Sequence, residues 1–187
     1  MNSVTPDDIE VTVTFLEMDA PPAHYPSLPH NRNVALLRTK DIPLHFYRYL
    51  TDRVGRKWHW VNVLRLSDEE LSAGLYREDR DIRVLYLDGS PAGFFDVKPR
   101  LPEEVELAYF GMMEYATGQG LGRWFLGAAI AACWSHGPKR VTVQTCTLDH
   151  PAALPLYQKL GFTPVAQKKE IIRPMPFDER AAVVMRP

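Results

Sequence analysis

Between Val105 and Trp134 the chain passes through three different patterns without a break. An apolar strand pattern, Val105-Glu106-Leu107-Ala108-Tyr109-Phe110-Gly111-Met112-Met113, comes first. It leads to Thr117-Gly118-Gln119-Gly120-Leu121-Gly122 and then to an almost wholly apolar stretch from Trp124 to Trp134. Strand, glycine loop and helix in this order constrain the fold more than any other feature. Alternate glycines at a helix start let the backbone approach a ligand closely and turn its N–H groups outward. The helix N-terminus adds partial positive charge. The expected occupant is an anion, most often a phosphate. A dinucleotide-binding turn needs glycines at its first, third and sixth positions. Counted from Gly118 the sixth position is Arg123, and counted from Gly120 it is Phe125, so both registers fail. A nucleotide-binding loop ending in Gly-Lys-Ser/Thr is also missing. The preceding strand carries Glu106 and Gly111, unlike a uniformly apolar parallel strand.

The rest of the chain gives a mixed α/β pattern. Ile9 to Phe15 alternates as a half-exposed strand does, and Pro21 to Pro29, with four prolines, is a long loop. Val34 to Leu37 fits a short strand. A helix begins near Asp41-Ile42-Pro43, with Asp41 as cap, and carries Leu44, Tyr47, Leu50 and Val54 at helical spacing until Gly55 ends it. Ser67-Asp68-Glu69-Glu70 is a capping box for a second helix running to about Arg77. Arg83 to Leu87 and Ala92 to Val97 form a hairpin about Asp88-Gly89-Ser90-Pro91. After the glycine loop and its buried helix, Val141 to Thr147 is a strand and Pro151 to Leu160 a short helix. Pro164 to Arg173 and Ala181 to Arg186 close the sheet. This order predicts a mixed sheet with helices on both faces.

With 187 residues, one domain with a sizeable core is expected. The 45% apolar content and the net charge of −1 fit a globular protein with no global attraction to nucleic acid or membrane. No leader pattern and no apolar run of spanning length occurs. Cys133 and Cys146 supply neither a disulfide framework nor a zinc spacing, so a reducing cytoplasmic setting is the expectation.

The segment from Thr117 to Gly122 resembles the pyrophosphate loop of the GNAT superfamily of acyl-coenzyme A-dependent N-acyltransferases, Gln/Arg-x-x-Gly-x-Gly/Ala. Gly120 and Gly122 match, Gly118 is a frequent choice, and Thr117 replaces the usual Gln or Arg. Downstream, Asp149-His150-Pro151-Ala152-Ala153-Leu154-Pro155-Leu156-Tyr157-Gln158-Lys159-Leu160-Gly161-Phe162 resembles the family's Asn-x-x-Ala-x-x-Leu-Tyr-x-x-x-Gly-Phe, with Asp149 where Asn is common. The resemblance is strongest from Arg83 to Phe162.

The resemblance implies a single domain over residues 1–187. Residues 1–82 would form the acceptor side, 83–162 the acetyl-CoA-binding core, and 163–187 the closing strands. The sheet would be mostly antiparallel with two splayed middle strands. Acetyl-CoA would be the donor, with no metal. Backbone N–H groups of Gly118, Gln119, Gly120, Leu121, Gly122 and Arg123 would hold the pyrophosphate beside Thr117. Asp149 would also meet the coenzyme. A bulge near Gly111 would splay the strand, with Phe110, Gly111 and Met112 along the pantetheine arm and an N–H near Met112 facing the developing oxyanion. The acceptor would be a primary amine of a small molecule, peptide or protein, and a homodimer through an edge strand stays open.

Tyr157 is the candidate acid, since a phenol protonated at neutral pH can donate to a departing thiolate; a core ring is the alternative. Glu106 is the candidate base, as an acidic side chain on a buried-looking strand; a salt bridge beside Glu103 and Glu104 is the alternative. Trp58-His59-Trp60 reads as packing anchors in preference to an acceptor wall. His24, Tyr25 and His30 read as surface loop, His150 as structural and Cys133 as inert. Two other functions compete: a catalytically silent acyl-CoA-binding or sensing protein, and an enzyme using another phosphate ligand such as a nucleotide.

Overall fold

A computed structural model describes residues 8–186. The described residues form seven strands and five α-helices. They are β1 (Ile9–Met18), β2 (Val34–Arg38), α1 (Leu44–Gly55), α2 (Asp68–Leu75), β3 (Asp81–Leu87), β4 (Ser90–Arg100), β5 (Glu104–Met112), α3 (Gly122–Trp134), β6 (Arg140–Cys146), α4 (Ala153–Lys159), β7 (Thr163–Ile172) and α5 (Phe177–Val184). The strands form one sheet in the order β2-β3-β4-β5-β6-β1-β7. All neighbours are antiparallel except β5 and β6, which run parallel. The mixed sheet with helices on both faces is the architecture the pattern predicts, and its mostly antiparallel pairing is what the resemblance implies.

The sheet separates two cores. On one face α3 buries Phe125, Leu126, Ala129 and Ile130 against Phe95, Leu107 and Val143, with Tyr157 and Leu160 of α4 beside them. On the other face α1 buries Tyr47, Leu50 and Val54 against Val84 and Phe94, joined by Leu71 and Leu75 of α2 and by Val183 of α5. Local signals act where the sequence places them. Ser67 and Glu70 form both bonds of the capping box. Asp88 and Gly89 both take positive φ in the two-residue hairpin turn.

The order of strands has a geometric consequence. β1 lies between β6 and β7, while β2 lies at the opposite edge. Five inter-strand steps of about 4.8 Å separate them, roughly 24 Å. The proline-rich segment 19–33 must bridge that distance, and it does so as a strap across the face that carries α3. A Cβ on Gly127 of α3 would stand 2.6 Å from Pro26 Cδ, so glycine lets the strap seat directly on the helix.

Three local readings need correction. Ala181 to Arg186 is not a closing strand: Phe177–Val184 is helical, with Asp178 and Glu179 in its first turn, where acidic side chains suit the helix dipole. The place beside β7 is filled by β1, and Arg180 of α5 instead reaches the buried carboxylate of Asp52 at 3.0 Å. Asp41 does not cap α1: its φ is +52°, and Pro43 stands at the N-cap without a side-chain bond. The bulge in β5 falls at Ala108, not at Gly111. Asp96 pairs with Tyr109 and Val97 with Leu107, which leaves Ala108 unmatched.

Candidate functional site

The bulge at Ala108 sits where two neighbouring strands part. β5 and β6 are paired only from Glu104↔Arg140 to Leu107↔Val143. Beyond Leu107, β5 stays on β4 through Met112, while β6 stays on β1 through Cys146. A bulge bends and twists the strand that carries it. The facing edges of Ala108–Met112 and Gln144–Cys146 therefore carry backbone groups with no strand partner, and strand edges of this kind accept an extended chain.

A buried polar cluster lies on β4 next to the bulge. Asp96, opposite Tyr109, accepts from Tyr47 Oη at 2.6 Å and from Arg80 Nε and Nη2 at 2.6 Å each. Burial, together with the Asp96 charge, pushes the Tyr109 phenol up to about 12.

The gap opens into a cleft of about 1200 Å³. Its floor is the splayed part of β5 and β6. Thr117, Gly118 and Gly122 also line it, as do Trp58, His59 and Trp60. Gly118 and Gly120 take φ of +74° and +78°, the left-handed region that glycine enters without strain. The N–H groups of Gly118, Gln119, Gly120 and Leu121 donate to no backbone carbonyl among the described residues, and the first turn of α3 adds further free donors. The Thr117 hydroxyl donates to the Glu114 carbonyl at 2.7 Å, and the Gln119 side chain donates to the Tyr115 carbonyl at 2.9 Å. Both side chains brace the loop, whose amides stay free of backbone acceptors among the described residues. These amides, beside an unpaired strand edge, suit a ligand that joins a pyrophosphate to a chain bearing amides.

Tyr157 lies on the wall of the gap, 6% exposed. It stands edge-on to Phe110 and Phe162. Its hydroxyl has no hydrogen-bond partner among the described residues. Burial, with the nearby Asp149 carboxylate, holds the phenol well above its usual range. Phe110, Gly111 and Met112 line the cleft.

The other candidate residues are placed differently. Glu106 lies outside the cleft wall. Its carboxylate accepts from Arg100 Nη2 at 2.6 Å and from Gln144 Nε2 at 3.4 Å. Asp149 is on the wall, but its oxygens are already engaged. Thr145 Oγ1 donates to it at 2.7 Å, the Cys146 N–H at 2.9 Å and Trp60 Nε1 at 3.2 Å. It closes the turn after β6 and ties that turn to the aromatic wall. Arg123 is absent from the cleft and lines a separate groove along α3.

The wall residues Trp58, His59 and Trp60 both pack and face the cleft. Trp60 lies against Tyr109 at 5.2 Å and fills the space left by two glycines. A Cβ on Gly55 would stand 2.4 Å from Trp60 Cβ, and one on Gly111 would stand 3.1 Å from its ring. His59 is the left-handed residue that ends the helical run, at φ +54°. His150 accepts from the Ala152 N–H at 3.1 Å and packs edge-on to Trp58, a structural role at the start of α4. Cys133 is fully buried, and burial pushes its thiol up. Arg32, on the strap, was not visible as a site residue. It donates from Nη1 to Gln119 Oε1 at 3.2 Å and from Nη2 to the Gln119 carbonyl at 3.4 Å. Only the crossing of the sheet brings it there. Among the described residues no group of His, Cys, Asp and Glu side chains could hold a metal ion, and no helix is long and apolar enough to cross a membrane.

Comparison with known proteins gives the same frame. Residues 43–162 match the model of the acetyltransferase (GNAT) family. No curated protein matches the chain significantly. Among solved structures, a functionally unknown conserved protein of Staphylococcus epidermidis superposes with a TM-score of 0.59 at 14% identity, covering 90% of this chain and 64% of that one. A GCN5-related N-acetyltransferase from Kribbella flavida gives 0.56 at 16%, covering 91% and 61%. An aminoglycoside acetyltransferase from an uncultured soil metagenomic sample, in complex with trehalose, gives 0.53 at 17%, covering 68% and 86%. The chain thus spans less than two thirds of the first two, and the likeness to all three is one of fold. With the family model matched over most of its length, the chain belongs to the acetyltransferase (GNAT) family.

Proposed function

We propose that the protein is an acetyl-CoA-dependent N-acetyltransferase that acts on a primary amine. The observation that carries this reading is the gap between β5 and β6 opening beside the glycine loop, whose N–H groups at Gly118–Leu121 have no backbone acceptor among the described residues. When bound, acetyl-CoA supplies an activated acyl carbon that an amine can attack directly, without a covalent enzyme intermediate.

The residues of the chain divide the remaining work. The loop from Thr117 to Gly122 and the first turn of α3 bind the pyrophosphate through N–H groups and the helix dipole, with no metal. Phe110, Gly111 and Met112 align the pantetheine arm along the open edge of β5. A backbone N–H near Met112 faces the acyl oxygen, where a fixed donor stabilises developing negative charge. Tyr157 holds a proton on its phenol at the wall of the gap and gives it to the leaving sulfur. Asp149, already hydrogen-bonded, keeps the turn and Trp60 in place beside the coenzyme.

The amine proton leaves through water in the cleft, with Glu106 at the end of that path in place of direct contact. The Glu106→Gln protein is expected to keep kcat within about tenfold of wild type, short of the full range of general-base loss. A steady-state assay of thiol release reads this, and a hundredfold fall would place Glu106 on the amine itself.

The acceptor is a small-molecule, peptide or protein amine entering past Trp58, His59 and Trp60. Nucleic acid and membrane are not partners, and the setting is the reducing cytoplasm. The pairing of Glu106 with Arg100 favours one second reading, a catalytically silent acyl-CoA-binding protein. Calorimetric titration with acetyl-CoA, NAD and ATP, followed by an amine screen for thiol release, separates the readings. Micromolar binding of acetyl-CoA with turnover supports the enzyme, and binding without turnover across the screen supports the silent protein. Absence of coenzyme binding sinks both.

Gly120 offers an independent check. Alanine at φ +78° is strained by about 1–2 kcal/mol, and its Cβ would project into the open space before the loop. Gly120→Ala is expected to weaken CoA binding at least about tenfold by calorimetry, one decade per 1.4 kcal/mol.

A further inference from the structure

Among the described residues three carboxylates line the cleft: Glu114, Asp149 and Glu170. Two of them have a cation. Lys57 pairs with Glu114, and Lys168 pairs with Glu170 at 3.1 Å. Asp149 has no Lys, Arg or His partner among the described residues. The bonds it accepts all come from neutral donors: Thr145 Oγ1, the Cys146 N–H and Trp60 Nε1. A half-buried carboxylate in such surroundings favours a counter-charge.

Its two oxygens are not equally occupied. Oδ2 accepts two bonds, of 2.7 and 2.9 Å, which close the turn after β6. Oδ1 accepts one, of 3.2 Å from Trp60, longer than the charge-assisted norm of about 2.7–2.9 Å. A carboxylate has about four acceptor sites, so Oδ1 keeps one for a further donor.

The surroundings of this oxygen suit a cation. The Trp60 ring packs against Tyr109 and Gly111 of β5, while its Nε1 reaches Asp149 beyond the end of β6. The indole therefore bridges the two sides of the gap and holds Oδ1 beside it. Trp58 packs edge-on to His150, the next residue, at 5.5 Å. Two indoles thus stand close to the carboxylate, and aromatic faces attract an ammonium ion. The Tyr157 phenol feels the Asp149 charge, which places the carboxylate near the proposed acid. Tyr109 and Ile172 continue the lining with largely apolar surface.

We propose that Asp149 Oδ1 is the subsite that receives the acceptor's amino group as an ammonium ion, and that the acceptor is a primary amine on an apolar body. The assignment rests on the acyltransferase reading of the cleft. An alkylamine with the lysine pKa of about 10.4 is an ammonium ion at neutral pH. It supplies the cation that Asp149 lacks, and its apolar body lies against Trp58, Trp60 and Tyr109. The ammonium then gives one proton to water in the cleft, which leaves the neutral amine beside the gap. Trp60 is a positioning residue, since it acts by holding Oδ1.

The test is calorimetric titration of the whole chain with phenethylamine and with its neutral isostere phenethyl alcohol, each with and without CoA. Wild type, Asp149→Asn and Glu170→Gln proteins are compared. Asparagine keeps an oxygen for the Thr145 and Cys146 bonds and puts an NH₂ group where Oδ1 stood. Wild type is expected to bind the amine at least about tenfold more tightly than the alcohol, the scale of one hydrogen bond to a charged group. Asp149→Asn is expected to lose most of that preference by weakening the amine alone, with alcohol and CoA bound as in wild type. Glu170→Gln is expected to keep the preference. Equal affinity of wild type for amine and alcohol, or binding of neither, overturns the assignment, while CoA binding leaves the coenzyme reading standing. Equal weakening of amine and CoA in Asp149→Asn also overturns it, because the residue then serves only the turn. Loss of the preference in Glu170→Gln moves the ammonium to another carboxylate and overturns it as well. Failure of wild type to bind CoA sinks the acyltransferase reading, and the acceptor role of Asp149 with it.

Discussion

Tyr157→Phe is expected to lower kcat by about 100-fold while leaving the dissociation constant for CoA within about twofold. A positioned general acid contributes roughly 10²–10⁴ in rate, and the low end applies because water in an open cleft can partly replace it. Phenylalanine keeps the ring contacts with Phe110 and Phe162, so packing is preserved. The hydroxyl has no protein partner to strand, so its removal leaves no buried group unsatisfied. Steady-state kinetics of thiol release with the preferred amine, beside calorimetry with CoA, separates chemistry from binding. The pH profile is a second readout. Burial and the Asp149 charge hold the phenol above its usual range, so the wild-type rate should show no alkaline fall from loss of this proton below about pH 10, the ordinary value of tyrosine. A Tyr157→Phe protein with unchanged kcat would reduce Tyr157 to a core ring.

Asp96→Asn is expected to destabilise the fold by about 3–5 kcal/mol, the usual cost of breaking a buried ion pair from one side. Asp96 is fully buried and Arg80 only 10% exposed, and the two share a bidentate contact that Tyr47 completes. An amide retains the shape but leaves the Arg80 guanidinium without its counter-charge. Urea unfolding followed by circular dichroism measures the loss. The same substitution should weaken coenzyme binding in protein that remains folded, because Asp96 sits opposite Tyr109 at the edge of the bulge that separates β5 from β6. A loss below about 1 kcal/mol would show that water replaces the missing charge and that the cluster does not hold the bulge.

The two predictions draw on different kinds of information. Tyr157 was legible in the sequence because the Leu-Tyr segment and the glycine loop are short, local motifs with fixed spacing. The capping box at Ser67, the Asp88-Gly89 turn and the buried helix after Gly122 were legible for the same reason, since each depends on residues within a turn of one another. The bulge was misplaced at Gly111 because glycine in a strand has two meanings. Here it admits Trp60 and Val54 against the backbone, and the unmatched residue is the ordinary-looking Ala108. The pairing of Glu106 with Arg100 depends on side chains meeting across a hairpin, which no spacing rule specifies.

Sequence by itself determined the strand–loop–helix unit, the order of elements as far as β7 and the glycine loop, because backbone conformation and hydrophobic period are set by near neighbours. Tertiary structure alone decided which strands adjoin. It placed β1 between β6 and β7 and made Phe177–Val184 a helix where a closing strand over 181–186 was expected. It sent residues 19–33 across the sheet, where Arg32 meets the glycine loop and Pro26 seats on Gly127 of α3. The physical reason is that strand order is a long-range choice. It is fixed by the burial of two whole faces of a sheet, and residues more than a hundred positions apart contribute to that burial together.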